Sequence, residues 1–421
     1  MNNLVNIDST KNARSILYKN TIMLYIMTFS SYFLSFITVP YQTRVLGPEK
    51  YGLIGVATAL MAYFRLVIDF GFLLSATEEV ANYRDDKKKL SNILTSVTLC
   101  KIVLSVVSFV VLYILCTFVD QWKGNTTFFT LYFVAIAISS FVPDYLYRGI
   151  EQMQYITIRS VAIKVLFTCL IFIFVKSSDD YMLIPILQLV GNLLSLLYVY
   201  VDLFARLRIF FSKVRFIDIV CSMKKSFFFF LSRIATTVYT VSNTIILDIL
   251  SRGTATAYYT TADKLVSTAK QGFSPVADSL YPYMVRNKDF NIIKKSLLII
   301  EPIVILGCAI LFVCAEPICV WFFGSEYAQT GNVLRALLPI IVVTFPNYIF
   351  GFPMLGAMGL SKHANYSTLI GSIIHVLNLC ILFFTGNMNI ITLAITTSVT
   401  ECVVLAYRCI VIYRNKKMFR K

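Results

Sequence analysis

Apolar runs long enough to cross a lipid bilayer recur along the whole sequence, and short polar segments separate them. A helix needs about 20 apolar residues to cross the hydrocarbon layer. Hydrophobic residues make up 57% of the 421 residues and charged residues only 14%, which is too apolar for a soluble chain of several domains. We therefore predict an all-α, multi-pass membrane protein. About 12 crossings are expected on the length criterion, at 18–41, 51–74, 91–119, 127–148, 159–176, 181–204, 227–250, 257–283, 294–320, 333–357, 366–386 and 389–412.

The net charge of +16 is distributed in short basic clusters between the apolar runs. A nucleic-acid-binding protein would gather such charge into one patch, so no nucleic acid partner is expected. Basic loops of membrane proteins face the cytoplasm. Assigning the clusters to that side predicts that both termini are cytoplasmic. The clusters occupy 11–19, 84–89, 206–225, 286–295, Lys362 and 414–421.

The longest polar interruption, at 206–226, divides the predicted crossings six and six. This predicts an N-terminal lobe over 1–205, a cytoplasmic linker over 206–226 and a C-terminal lobe over 227–421. A weak internal similarity aligns the segment after Lys50 with the segment after Ala255, which sets Arg65 opposite Lys270. Repeats of this kind are typical of transporters, although chance similarity between two amphipathic helices is the alternative.

The eighth predicted crossing is the most polar of the set. A charge at the bilayer centre costs roughly 2.5–3.5 kcal/mol, so charges persist there only when they face water, a polar ligand or a partner. Either a water-facing wall or a ladder of interhelical ion pairs explains the pattern. Helical spacing gathers the polar residues into one stripe, composed of Thr256, Thr260, Asp263, Ser267, Lys270, Ser274 and Asp278.

Two other crossings carry candidate cations. Arg65 and Asp69 lie four residues apart in the second crossing, where they form either a substrate site or a mutually neutralising pair. Arg233 lies in the polar face of the seventh crossing, where it either meets substrate or extends to the lipid phosphates.

Among the other ionisable residues of the predicted crossings, five have a predicted role. We expect Asp144 and Arg148 to form a pair at a helix end, and Lys164 to reach the membrane interface. For His375 and Glu401 a proton relay and a satisfied interhelical hydrogen bond both remain open.

No nucleotide-binding or hydrolytic motif occurs in the sequence. It lacks a Walker loop, an HExxH pair and a nucleophile elbow, which argues against ATP hydrolysis within this chain. The predicted outside loops reach only about a dozen residues. They are too small for a membrane enzyme that ligates or polymerises lipid-linked sugars.

Three segments near the N-terminus carry a family resemblance: "PYQTRVLGPEKYGL" between the first two crossings, "DFGF" at the end of the second, and "ATEEVANYRDDKKKL" before the third. With them the chain resembles the bacterial polysaccharide repeat-unit (O-antigen or capsule) flippases of the multidrug/oligosaccharidyl-lipid/polysaccharide exporter superfamily. The resemblance implies two six-helix lobes around a central, cation-lined cavity. It also implies flipping of undecaprenyl diphosphate-linked oligosaccharide from the inner to the outer leaflet of the bacterial cytoplasmic membrane, by alternating access.

On this basis we expect cations of the cavity to bind the diphosphate and anionic sugars, and carboxylates to balance them or couple transport to an ion. The expected cations are Arg65, Lys270, Arg233 and Lys264, and the expected carboxylates are Asp69, Asp263 and Asp278. No catalytic residue, metal or cofactor is expected, and coupling to an H⁺ or Na⁺ gradient is left open. Expected partners are membrane lipids, a polysaccharide polymerase and other assembly proteins.

The leading alternative is an ion-coupled small-molecule exporter of the same fold. Such a pump would favour acids in its cavity to bind amphipathic cations, whereas the crossings above offer cations. A ligase or polymerase of lipid-linked sugars is the less favoured third class, because of the short loops.

Overall fold

The computed structural model describes the backbone of residues 2–251 and 253–416, and side chains in this range except those of 2–18, 232, 278–279, 282 and 285–287. Within these residues the regular structure consists of helices, without a strand. The α-helices are α1 Asn2–Asp69, α2 Phe72–Asn82, α3 Lys87–Phe118, α4 Thr126–Ser140, α5 Asp144–Gly149, α6 Met153–Phe174, α7 Leu183–Asp202, α8 Phe216–Ser251, α9 Thr254–Asn287, α10 Phe290–Val313, α11 Ala315–Phe323, α12 Thr330–Ile349, α13 Ser361–Phe384 and α14 Ile390–Arg414.

Ten helical segments of the described chain are long and apolar enough to cross a membrane. The first of them, Lys19–Asn82, has 64 residues, which is enough for more than one crossing at about 1.5 Å per residue. The eighth predicted crossing is not among the ten. It lies in α9, which at 34 residues is about 50 Å long but carries the polar stripe described above. The chain is a multi-pass membrane protein.

The break in α1 lies at Gly47, within the loop that the sequence predicts between the first two crossings. Gly47 has φ 70° and ψ 172°, a conformation that glycine adopts without a steric penalty. Pro48 follows, and proline is favoured at the first position of a helix. The connection is therefore shorter than expected, because a Gly-Pro pair is sufficient to end one helix and start the next.

The chain forms two compact units. The first comprises residues up to Val45 together with Met61–Arg233, and the second comprises Leu46–Leu60 together with the chain from Ile234 onward. Part of the predicted linker 206–226 is helical, since α8 already begins at Phe216. The lobe boundaries predicted from the sequence stay a prediction.

Each unit has its own apolar core. In the first unit, Phe72, Leu94, Leu146 and Leu203 are completely buried, and they bring α2, α3, α5 and the end of α7 together. In the second, α12 packs against α9, α10 and α14. Phe345 of α12 and Met284 of α9 are fully buried there. Helix α12 is thus the central helix of the unit that contains the polar stripe.

Small residues allow the segment Leu46–Leu60 to approach the start of α9 closely. A Cβ atom on Gly52 would lie 2.0 Å from the carbonyl oxygen of Gly253, and one on Gly55 would lie 2.7 Å from Cγ2 of Thr260. Such separations are far below van der Waals contact. Helices in membranes use small residues in this way to bring their backbones together.

We predict that Gly52→Ala destabilises the protein by about 1–3 kcal/mol or more, the usual cost of overpacking, because the added methyl group meets backbone that cannot rotate away. The measurement is the unfolding temperature of the purified protein in detergent. Gly307→Ala is the matched control, since nothing lies within 4 Å of a Cβ there. Equal unfolding temperatures for the two variants would contradict the close approach.

Candidate functional site

A cavity of about 360 Å³ lies within the second unit. Its walls come from α8, α9, α12, α13 and α14, and most of the lining residues are polar. The polar lining residues are Tyr239, Thr240, Asp263, Ser267, Lys270, Gln271, Thr344, Asn347, Tyr348, Thr368, Thr397, Glu401 and Arg408.

Helix α9 contributes the middle of the predicted polar stripe to this cavity. Asp263, Ser267 and Lys270 all line this cavity. Because they are three or four residues apart, they lie on one face of the helix. At the N-terminal end of the stripe, by contrast, Thr256 is completely buried. The side chain of Asp278 lies outside the described residues. The stripe thus faces a polar cavity along part of its length.

Lys270 forms the closest ion pair of the cavity. Its Nζ lies 2.7 Å from Oε1 of Glu401, and the two side chains are 21% and 9% exposed. The second carboxylate oxygen, Oε2, accepts a hydrogen bond from Nδ2 of Asn347 at 3.2 Å. The same amide nitrogen lies 3.2 Å from the backbone oxygen of Glu401. Both carboxylate oxygens are satisfied, as a buried charge requires.

Arg408 supplies a second buried cation, seven residues beyond Glu401 on α14. Its Nε donates to Oγ of Ser367 at 2.9 Å, and its Nη1 donates to the backbone oxygen of Asn347. Gly351 leaves room for the guanidinium, since a Cβ there would lie 3.1 Å from Nη1. Sequence analysis did not single out Arg408, because its position near the end of an apolar run is typical of an arginine at the membrane interface.

The formal charges of the described residues that line this cavity cancel. Among its described lining residues Lys270 and Arg408 are cations, and Asp263 and Glu401 are carboxylates. Lys264, one of the expected substrate-binding cations, is half-buried and is not among the lining residues. Its position one residue after Asp263 turns it to a different side of α9.

A polar network next to the cavity surrounds His375, which is completely buried. Its Nε2 donates to Oδ1 of Asn243 at 3.2 Å, and its Nδ1 lies 3.0 Å from Oγ1 of Thr400. Asn243 in turn donates to Oγ1 of Thr397 at 2.7 Å. These contacts agree with the interhelical hydrogen bonds that were one alternative for His375.

The first unit contains a separate buried cluster of charges. Oδ1 of Asp69 lies 3.0 Å from Nζ of Lys101, and its Oδ2 lies 3.5 Å from Nε of Arg65. Lys101 also donates to the backbone oxygen of Ser140 at 2.5 Å. Its side chain is 7% exposed, whereas that of Arg65 is 55% exposed. The pair of Arg65 and Asp69 expected from the sequence exists, but Lys101 is the closer partner.

Other ionisable residues of the first unit have partners that differ from the expected ones. Asp144 accepts a hydrogen bond from Nη2 of Arg159 at 2.7 Å. The expected partner was Arg148, four residues away, but the packing of α5 against α6 brings Arg159 next to Asp144. Lys164 donates to Oγ of Ser31. Arg233, assigned to the first unit, is exposed. Among the described residues no group of three or more His, Cys, Asp or Glu side chains could hold a metal ion.

Lys101 should be a stabilising residue of the first unit. We predict that Lys101→Met lowers the free energy of unfolding by about 3 kcal/mol, since it removes one partner of a buried pair while Arg65 compensates only in part. Unfolding in mixed micelles measures the change. Lys123→Met is the control, because its pair with Asp120 is solvent-exposed and should contribute less than about 1 kcal/mol. Similar losses in both variants would refute the buried role of Lys101.

Several solved structures share this fold. The chain matches the structure titled "Lipid II flippase MurJ, inward closed conformation" with a TM-score of 0.68 and 17% identity, covering 94% of this chain and 89% of that one. It matches an inward-facing structure of a multidrug resistance MATE family transporter of the MOP superfamily with a TM-score of 0.66 and 14% identity, covering 91% and 96%. Similarity at this level of identity shows the fold.

Sequence comparison identifies the family. Two curated relatives carry the name "Putative O-antigen transporter". The one from Escherichia coli (strain K12) is 26% identical over 95% of this chain and 97% of its own length, and the one from Shigella dysenteriae is 24% identical over 85% and 91%. The family model described as "Polysaccharide biosynthesis protein" matches residues 17–288, well over half of the chain. The resemblance found in the sequence is confirmed, and this chain belongs to the polysaccharide biosynthesis protein family.

Proposed function

We propose that this protein is a transporter that flips polyprenyl (undecaprenyl) diphosphate-linked oligosaccharide repeat units from the inner to the outer leaflet of the bacterial cytoplasmic membrane, by alternating access. The family supports a role in polysaccharide biosynthesis. The names of the relatives from Escherichia coli and Shigella dysenteriae support transport of O-antigen rather than chemistry on it. The fold shared with a lipid II flippase is compatible with a lipid-linked sugar as cargo.

The observation that carries the proposal is the buried cation Lys270 on the wall of a polar cavity within a membrane protein. An ionisable residue at such a position indicates a site for substrate or ions. Lysine and arginine bind phosphate oxygens through charge-assisted hydrogen bonds, which are shorter and stronger than neutral ones. Lys270 and Arg408 are therefore suited to a diphosphate.

The remaining residues of the predicted site enter the proposal in supporting roles. Arg65, Arg233 and Lys264 are proposed to attract the diphosphate or acidic sugars on its path. Asp69, Asp263 and Asp278 are proposed to balance these cations or to bind a coupling ion. An H⁺ or Na⁺ gradient would supply the work, since a charge that crosses 100 mV gains about 2.3 kcal/mol. Membrane lipids, a polymerase and other assembly proteins are the proposed partners.

The topology proposed for this function has 12 crossings. The ten apolar segments give that number when the long first segment counts as two and α9 is added. Six crossings would then belong to each of the lobes 1–205 and 227–421, joined by 206–226. The distribution of the basic clusters supports a cytoplasmic position for both termini.

The position of α9 can be tested by labelling its two ends. In a chain whose native cysteines have been replaced by serine or alanine, we predict that Ser251→Cys reacts with a membrane-impermeant maleimide from the outside. Lys288→Cys should react only after the membrane is permeabilised, because α9 crosses between them. Lys87→Cys serves as the cytoplasmic control. Labelling of both ends from one side would remove α9 from the crossings.

Lys270 is the residue whose loss should be most damaging. We predict that Lys270→Ala abolishes surface polysaccharide and leaves lipid-linked repeat units on the cytoplasmic leaflet. A charged hydrogen bond contributes about 1.5–3 kcal/mol, which corresponds to a ten- to hundredfold loss of affinity. The measurement is the amount of surface polymer in cells that depend on the variant.

Two controls separate binding from folding in this experiment. Lys362→Ala removes an exposed lysine and should leave polymer unchanged. The double variant Lys270→Ala/Glu401→Gln removes both charges of the buried pair, so that no unpaired carboxylate remains. It should insert normally and still fail to export. Normal export by the double variant would exclude Lys270 from substrate binding.

The two carboxylates of the cavity favour one second candidate, an exporter of amphipathic cations. Asp263 and Glu401 would pair with such a cargo, and the fold is shared with a multidrug resistance transporter. Cells that lack this protein distinguish the candidates. Raised sensitivity to cationic dyes with normal surface polysaccharide would support the exporter, and the reverse pattern supports the flippase.

A further inference from the structure

The ion pair of Lys270 and Glu401 poses a problem for an anionic substrate. Lys270 already donates to Glu401 at 2.7 Å, and the carboxylate is 9% exposed. A diphosphate that takes over Lys270 would leave this carboxylate buried without its cation. A buried charge that loses its partner is strongly unfavourable, and a carboxylate in this position takes up a proton instead.

The groups around Glu401 do not supply a replacement cation. Arg408 on the same helix donates to the backbone of α12 and to Ser367. Helix α9 adds Asp263 and α8 adds Tyr239, which carry either negative charge or none. Helix α12 contributes Asn347 and Tyr348, which are neutral groups. Among the described lining residues, only Arg408 remains as a cation once Lys270 binds the substrate.

Besides the carboxylate of Asp263, His375 could also compete for a proton near this cavity. It belongs to α13 and is bonded to Asn243 and Thr400. Its Nε2 faces an acceptor oxygen and so already carries a proton. Neither of its ring nitrogens contacts Glu401 or Lys270.

Asn347 is arranged to stabilise Glu401 in either protonation state. Its Nδ2 donates to Oε2 of the carboxylate, which suits the ionised form. Its Oδ1 is buried and has no hydrogen-bond partner among the described residues, although nearly all buried polar atoms have one. Rotation of the amide by half a turn exchanges the two atoms. Oδ1 would then accept a hydrogen bond from a protonated Glu401, while the hydrogen bond from Nδ2 to the backbone oxygen of Glu401 would be lost.

We propose that Glu401 is the counterion that a diphosphate displaces from Lys270, and that the displaced carboxylate takes up one proton from water, so that anion and proton occupy the cavity together. This inference rests on the proposed function and specifies how its site binds charge. The O–H bond forms on the Glu401 carboxylate, and Lys270 transfers its hydrogen bond from the carboxylate to a phosphate oxygen. The proton offsets one of the two negative charges that a diphosphate diester brings into the cavity.

The proposal predicts that anion affinity rises as the pH falls. When one proton is bound together with each anion, the association constant changes about tenfold per pH unit. At higher pH the anion must compete with an intact ion pair, and its binding weakens.

Calorimetry on the full chain in lipid nanodiscs tests this directly. The probe is farnesyl diphosphoglucose, a diphosphate diester whose phosphates have no proton that titrates near neutral pH. Titrations in two buffers with different ionisation enthalpies give the number of protons taken up. We expect about one proton per bound anion for the unmodified protein, and this measurement requires no variant.

The variant Glu401→Gln retains the shape of the side chain and removes its charge. We expect it to bind the diester without proton uptake, and with an affinity that is independent of pH and close to the low-pH affinity of the unmodified protein. His375→Gln is the matched control that should preserve uptake, and Asp263→Asn tests whether the other carboxylate of the cavity takes the proton instead. An infrared difference spectrum should show a protonated carboxyl band on ligand addition, absent in Glu401→Gln.

The outcomes separate this inference from the proposed function. Binding of the diester to the unmodified protein without proton uptake overturns the inference alone. Proton uptake that persists in Glu401→Gln, or that vanishes in Asp263→Asn or His375→Gln, also overturns only the inference. Failure of the unmodified protein to bind the diester at any pH overturns the proposed function, and the inference with it.

Discussion

The pair of Lys270 and Glu401 determines what the second unit can do. Each charge is tolerated at low exposure to solvent because the other lies 2.7 Å away, and the amide of Asn347 completes the hydrogen bonds of the carboxylate. Three helices, α9, α12 and α14, are thereby tied together around one cavity. Under the proposed function, the lysine that fixes this packing is also the one that a phosphate would contact, so stability and binding would depend on the same side chain.

Helix α9 reconciles two requirements that normally exclude each other. A helix that crosses lipid should be apolar, yet a transporter needs polar groups within the membrane. In α9, Phe273 and Leu280 pack on the core of α12, while Asp263, Ser267 and Lys270 face the cavity. This division explains why α9 is absent from the ten most apolar segments although it is long enough to cross a bilayer.

Much of the fold follows from the sequence, because apolar runs, basic clusters and helical spacing are local properties that one chain displays directly. The polar face of α9 was predictable for that reason. The partners of its charges were not. Glu401 is separated from Lys270 by 131 residues, and nothing local indicates that α14 packs beside α9. Lys101 illustrates the same limit: a lysine inside the apolar run of α3 requires a carboxylate, and the sequence does not say that Asp69 supplies it.

The two units satisfy their buried cations in different ways, and this difference has a functional consequence. In the first unit Asp69 serves both Lys101 and Arg65, so one carboxylate meets two cations and Arg65 remains 55% exposed. In the second, two carboxylates match two cations within the cavity. A free anion would be attracted by the surplus positive charge of the first cluster without any rearrangement. In the second cavity it must first displace a carboxylate. Under the proposed function, Arg65 would attract the anion and Lys270 would bind it.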